Sequence, residues 1–189
     1  MLSKNVTVRG VIVPLVTPFK EDGTVNEKAL QRLIEFLIRS GVHGVMPGGT
    51  TGEFALLTVE ERQKLLEATL NTVNDRVLVL AQTGAVSTET TIALTRHAKA
   101  VGVVAATIIT PYFVRLSEAA LVEHYARVAQ AVPDFPLFLY NIPQMTGNNI
   151  TPEVVAALVP RCPNIIGMKE SSGNLGQLID SKAAGGANF

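Results

Sequence analysis

A lysine closing an apolar run is the most chemically suggestive residue of this sequence. Asn164-Ile165-Ile166-Gly167-Met168 leads directly into Lys169, and Glu170-Ser171-Ser172-Gly173 follows. A short apolar run bounded by turn residues suits a buried parallel strand, although periodicity alone leaves a buried helix open. On the strand reading Lys169 is the last residue and points into whatever lies above the sheet. A lysine at a strand end is ordinarily a solvated ammonium. A desolvated one differs: burial disfavours the charged form, and the free amine is a nucleophile able to form a Schiff base with a carbonyl compound.

Two further stretches carry useful groups. Gly48-Gly49-Thr50-Thr51-Gly52-Glu53 can bring consecutive backbone N–H groups and two hydroxyls close to a small anion, because glycine permits close approach. Its ordinary reading is a turn with a Ser/Thr-type hydrogen bond. Tyr140, followed by Asn141-Ile142-Pro143, is ordinarily a packed ring with a satisfied hydroxyl. Beside a Schiff base the same phenol could shuttle protons. His43, His97 and His124 are scattered and show no metal-ligand spacing. Glu60, Glu61 and Glu67 read as solvated helix faces, whereas Glu53 and Glu170 adjoin the candidate site in supporting roles. Cys162, before the last strand, reads as inert.

The elements that must position these groups follow a regular order. Strands are expected at Gly10–Val16, Gly44–Met46, Val77–Ala81, Val103–Ile109, Leu137–Tyr140 and up to Lys169. Helices are expected between them, with Asn26, Ser117 and the Thr58/Glu61 capping box at their starts and Thr151-Pro152 opening another. Strand starts recur about every thirty residues, the size of one βα unit. Six such units imply an α/β fold with a parallel sheet, either doubly wound or a (β/α)8 barrel. No dinucleotide fingerprint follows the first strand. The chemically useful loops all follow strands, and a barrel gathers those loops at one face, so the expectation is the barrel.

A complete barrel needs about 250 residues, and this chain has 189. Residues 1–189 are therefore expected to be a truncated barrel domain. Six βα units are present, a seventh strand begins near Gly185-Gly186-Ala187-Asn188-Phe189, and strands seven and eight are absent. Composition is 47% hydrophobic and 17% charged with zero formal net charge, which suits a globular core and disfavours nucleic-acid or membrane partners. Met1-Leu2-Ser3-Lys4-Asn5 lacks the apolar core of a signal peptide, and one cysteine permits no internal disulfide. The expected location is the cytoplasm.

On the Gly-Gly-Thr-Thr-Gly-Glu loop, Tyr140-Asn141-Ile142-Pro143 and Gly167-Met168-Lys169-Glu170, the chain resembles the dihydrodipicolinate synthase / N-acetylneuraminate lyase family of class I aldolases. The resemblance runs from Gly10 to the C-terminus. It implies a Schiff base between Lys169 and pyruvate, with Tyr140 as proton donor and acceptor and Thr50 as relay. Thr51, with the backbone from Gly49 to Gly52, would hold the pyruvate carboxylate. It further implies a pyruvate-like 2-oxo acid and an aldehyde as small-molecule partners, no metal or organic cofactor, and a homo-oligomer, dimer or tetramer. Two positions depart from the synthase pattern. Phe113 stands where synthases have a second tyrosine that relays protons across subunits, and Met145 where they have a carboxylate-binding arginine. A thioether does not replace a bidentate guanidinium. The expectation is therefore a lyase or aldolase for 2-oxo-3-deoxy sugar acids. A dihydrodipicolinate synthase, a non-catalytic 2-oxo-acid-binding protein and an inactive fragment stand as alternatives.

Overall fold

The computed structural model describes residues 7–187 and Phe189; the N-terminal stretch read above against a signal peptide lies outside these. The described residues divide into two compact units, one made of Thr83–Arg96 and 106–189, the other of residues 7–82 with His97–Ala105. Each has three parallel strands in chain order.

In the first of these along the chain, β1 (Ile12–Pro14), β2 (Gly44–Met46) and β3 (Leu78–Gln82) pair in parallel. Pro14 has no N–H to give a ladder, and β1 is accordingly short and lies at an edge of its unit's sheet. Helix α1 (Glu27–Arg39) starts where the Asn26 side chain accepts from Ala29 N, buries Leu30 and Ile34, and is followed by Gly41 at φ 82°. Helix α2 (Val59–Val73) carries both halves of the Thr58/Glu61 capping box. Its buried face includes Arg62, whose guanidinium donates to Gln82 O (3.0 Å) and Gln82 Oε1 (3.2 Å) and lies 5.1 Å from the Phe54 ring centroid. Composition alone marks such an arginine as a surface group; here its planar donors satisfy the end of β3.

The other unit holds β4 (Ala105–Ile109), β5 (Leu137–Asn141) and β6 (Ile165–Glu170). Strands β4 and β5 pair in register, Ile109 beside Tyr140. β5 and β6 do not keep one register. Leu137 pairs with Ile165 but Phe138 with Gly167, so β6 accommodates one extra residue, Ile166, and from there Tyr140 pairs with Lys169 and Asn141 with Glu170. Gly167 is needed at this bulge: a Cβ would fall 2.6 Å from Phe138 Cε1. Helix α3 (Thr88–Val101) follows β3, and α4 (Glu118–Ala131) follows β4 with Ser117 as cap. Tyr125 of α4 is fully buried and donates to Ile108 O at 3.0 Å. The chain leaving α4 is held by Asn164, whose side-chain amide donates to the carbonyls of Ala129, Val132 and Phe135 at 3.1, 2.9 and 3.2 Å.

One helix absent from the sequence reading appears here, α5 (Pro143–Thr146), directly after β5; α7 (Leu175–Gly185), capped by Asn174, is the helix of the sixth βα unit. Between them α6 (Pro152–Leu158) starts at Thr151 with proline at its first turn, as expected. The described residues after Gly185 form no strand, so the seventh strand anticipated there is not seen among them. The element order is that of an α/β chain with six parallel strands, a partial (β/α)8 barrel.

Candidate active site

Lys169 is the penultimate residue of β6; Glu170, not Lys169, closes the strand. Its side chain is half-buried, and Nζ lies 3.5 Å from the centroid of the Tyr140 ring. Residues paired across a parallel ladder share a face of the sheet, so the β5/β6 register places the two side chains together. Tyr140 is 2% exposed. The amine therefore sits at the C-terminal end of its strand, against the negative face of a buried aromatic ring.

The next residue on each strand belongs to the opposite face. Asn141, fully buried, donates through Nδ2 to Glu170 Oε2 (2.8 Å) and to Asn149 Oδ1 (2.9 Å), and its Oδ1 accepts from Ile150 N (2.9 Å). Gln177 of α7 adds bonds to Asn149 Oδ1 (3.1 Å) and Glu170 Oε2 (3.3 Å), and Ser172 N donates to Glu170 Oε1 at 2.5 Å. Desolvation pushes the Glu170 carboxyl up, but the donors Asn141, Ser172 and Gln177 outweigh it and leave the group below its ordinary value. Glu170 is thus a hydrogen-bonded anion in a structural network, which the sequence hinted at only by its place beside Lys169.

In the other unit the glycine- and threonine-rich segment forms a tight turn after β2. Gly48 has φ 65° and Glu53 φ 57°. Gly52 N donates to Gly49 O (3.0 Å), Glu53 N to Thr50 O (3.1 Å), and the buried Thr17 hydroxyl to Gly52 O (2.6 Å). A Cβ at Gly52 would stand 2.8 Å from Leu15 O, so close packing against the end of β1 explains this glycine. The Gly52 N–H is engaged within the turn, whereas Thr51 is exposed and makes no hydrogen bond among the described residues.

The histidines have local partners. His43 Nδ1 accepts from Val11 N (3.0 Å), His97 pairs with Glu67 (2.8 Å), and His124 meets the Thr88 hydroxyl (2.9 Å). No cluster of three metal-ligating side chains occurs among the described residues. Cys162 is buried, and burial pushes its thiol up despite nearby Arg161, in keeping with an unreactive side chain.

The arrangement of amine, phenol and parallel strand ends agrees with a sequence comparison: the pattern of the dihydrodipicolinate synthetase family matches residues 7–189. The chain belongs to that family. The 4-hydroxy-tetrahydrodipicolinate synthase of one Thermus thermophilus strain is 45% identical over 181 residues, covering 96% of this chain and 60% of its own length. The crystal structure of dihydrodipicolinate synthase from Aquifex aeolicus superposes with a TM-score of 0.92 at 38% identity, over 96% of this chain and 61% of that one. A chloride-inhibited dihydrodipicolinate synthase from Acinetobacter baumannii, complexed with pyruvate, gives 0.89 at 37% identity, over 95% and 62%. This chain thus spans about 60% of the length of the curated relatives it matches.

These similarities overturn one expectation. The sugar-acid lyase reading rested on Phe113 and Met145, yet these family relatives are synthases. Both residues are exposed, Phe113 at 95% in the loop after β4 and Met145 at 66% on α5, and neither measures what the rest of a site binds. The stem of Arg115 also packs by the end of α5, its Cγ 4.0 Å from where a Gly147 Cβ would stand. Arg115 is thus a cationic residue whose stem, as far as Cγ, lies near the segment that carries Met145.

Proposed function

We propose that this protein is a Schiff-base-forming synthase that condenses pyruvate with aspartate semialdehyde. The observation that carries the reading is the Lys169 amine set 3.5 Å from the Tyr140 ring centroid at adjacent strand ends. Nζ attacks the ketone carbon of pyruvate, water leaves, and the resulting iminium draws electrons from the adjacent methyl. Loss of a proton there gives an enamine, which attacks the aldehyde carbon. Tyr140 is assigned the proton transfers and Thr50 their relay. Thr51, with the backbone from Gly49 to Gly52, is assigned the pyruvate carboxylate, a role that the resemblance supports and the unengaged Thr51 accommodates. Arg115, whose stem lies near Gly147 at the end of α5, is assigned the carboxylate of the semialdehyde, because Met145 offers no charge. No helix among the described residues is long and apolar enough to cross a membrane; with a single cysteine, this supports a cytoplasmic enzyme.

Borohydride reduction with pyruvate, followed by peptide mapping, tests this. The adduct is expected on Lys169 alone, since Lys28, Lys64 and Lys99 lie on helices α1, α2 and α3. A solvated ammonium is a poor nucleophile. Arg115→Ala should raise KM for aspartate semialdehyde about tenfold or more and leave pyruvate trapping intact. Adduct spread over several lysines, or none on the Lys169 peptide, refutes the proposal.

A further inference from the structure

Lys169 and Tyr140 face each other only because β6 is out of step with β5 by one residue. Extending the Leu137–Ile165 pairing without the shift would set Met168 beside Tyr140 and Lys169 beside Asn141. Since side chains alternate across a strand, the amine would then lie on the face opposite the phenol. Something must hold the shifted register at the end that bears the chemistry. Bulges serve to re-aim side chains, but one bulge fixes only the strand near itself.

The geometry points to Asn141 and Glu170 as the positioning residues that hold Lys169 over Tyr140. They are the next pair along the ladder after the reacting pair, and their side chains bond at 2.8 Å on the far face of the sheet. In the unshifted register Glu170 would have no residue of β5 beside it, and this bond could not form. Both partners are tied to surrounding chain. Asn141 Oδ1 takes the N–H of Ile150 and its Nδ2 also reaches Asn149, while Glu170 takes Ser172 N and Gln177 Nε2. Gln177 comes from α7, so the helix after β6 closes the same network. At the other end of the strand, Gly167 against Phe138 leaves room for no other residue. The reacting pair is thereby held on one face by bonds made on the other.

This inference rests on the proposed function for its catalytic meaning, but its geometry can be read independently. Asn141→Asp removes the donor and sets two carboxylates face to face. Asn141→Asp with Glu170→Gln exchanges donor and acceptor and restores the bond. Crystal structures of the full-length wild type and both variants, with rates of borohydride-trappable imine formation per folded site across pH, form the test. N141D is expected to show Lys169 Nζ displaced from the Tyr140 ring and imine formation at least tenfold slower. The double variant should recover the position and most of the rate. Should N141D only lower the melting temperature, with Nζ over the ring and the rate and pH profile unchanged, the positioning role is overturned. A wild type that traps no pyruvate overturns the proposed function instead, while displacement of Nζ in N141D would still establish the positioning.

Discussion

At the scale of single residues, Tyr140 is the most informative. Its ring is buried and presents a face to Lys169, and its assigned work is proton transfer rather than carboxylate recognition. Tyr140→Phe keeps the ring, and with it the surface on which the amine rests. Turnover should fall about 100-fold or more, the usual worth of a general acid/base, with KM for pyruvate changed only a few-fold; steady-state kinetics decide it. The residue types of the site were legible in the sequence, because Lys169 and Tyr140 each follow an apolar run. Their supporters were legible only in part. Glu170 reads as a supporting residue from its place beside Lys169, whereas Asn141 looks like an ordinary polar residue at a strand end until pairing shows the bond between the two.

At the scale of elements, helix caps were readable from local chemistry, and Asn26, Thr58, Ser117 and Thr151 all cap as expected, whereas strand ends were read only to within a residue or two. The register between β5 and β6 was not, since pairing is a relation between segments and an extra residue in one leaves no local mark. Helix pairing carries another unseen feature. His124 on α4 is 5% exposed and meets Thr88 at the start of α3. Desolvation, helped by the nearby Arg127 cation and opposed by Glu89, lowers its pKa to about 4. The unfolded chain, with an ordinary histidine near 6.5, then binds a proton that the folded one refuses. Stability contributed by neutral His124 is complete above about pH 6.5 and is lost progressively as pH falls toward about 4, up to about 3 kcal/mol in all. Thermal melting of wild type against His124→Asn should show the acid limb flattened over that interval in the variant.

For the molecule as a whole, Phe113 is the exposed group that asks for a partner. Its ring is 95% exposed and its backbone is left-handed, φ 76°, a conformation that bulky residues rarely adopt. Val114 and Val86 are also open to solvent, at 55% and 49%. Sedimentation at micromolar concentration is expected to show at least a dimer. Phe113→Asn tolerates the same backbone and removes the ring, so it should weaken association tenfold or more while leaving the melting temperature of the dilute protein unchanged or slightly higher. A monomeric wild type would remove this assignment. The bulge in β6 bears on inheritance as well as on packing. Loss of the Ile166 codon would straighten the ladder, because Gly167 would then follow Ile165 directly and Lys169 would still meet Tyr140. A descendant one codon shorter there can keep its chemistry. Loss of the Leu139 codon acts in the opposite sense, widening the mismatch between the strands to more than a one-residue bulge absorbs and turning the phenol away from the amine. Of two neighbouring strands that each supply one half of the proposed reacting pair, one can shed a residue and the other cannot.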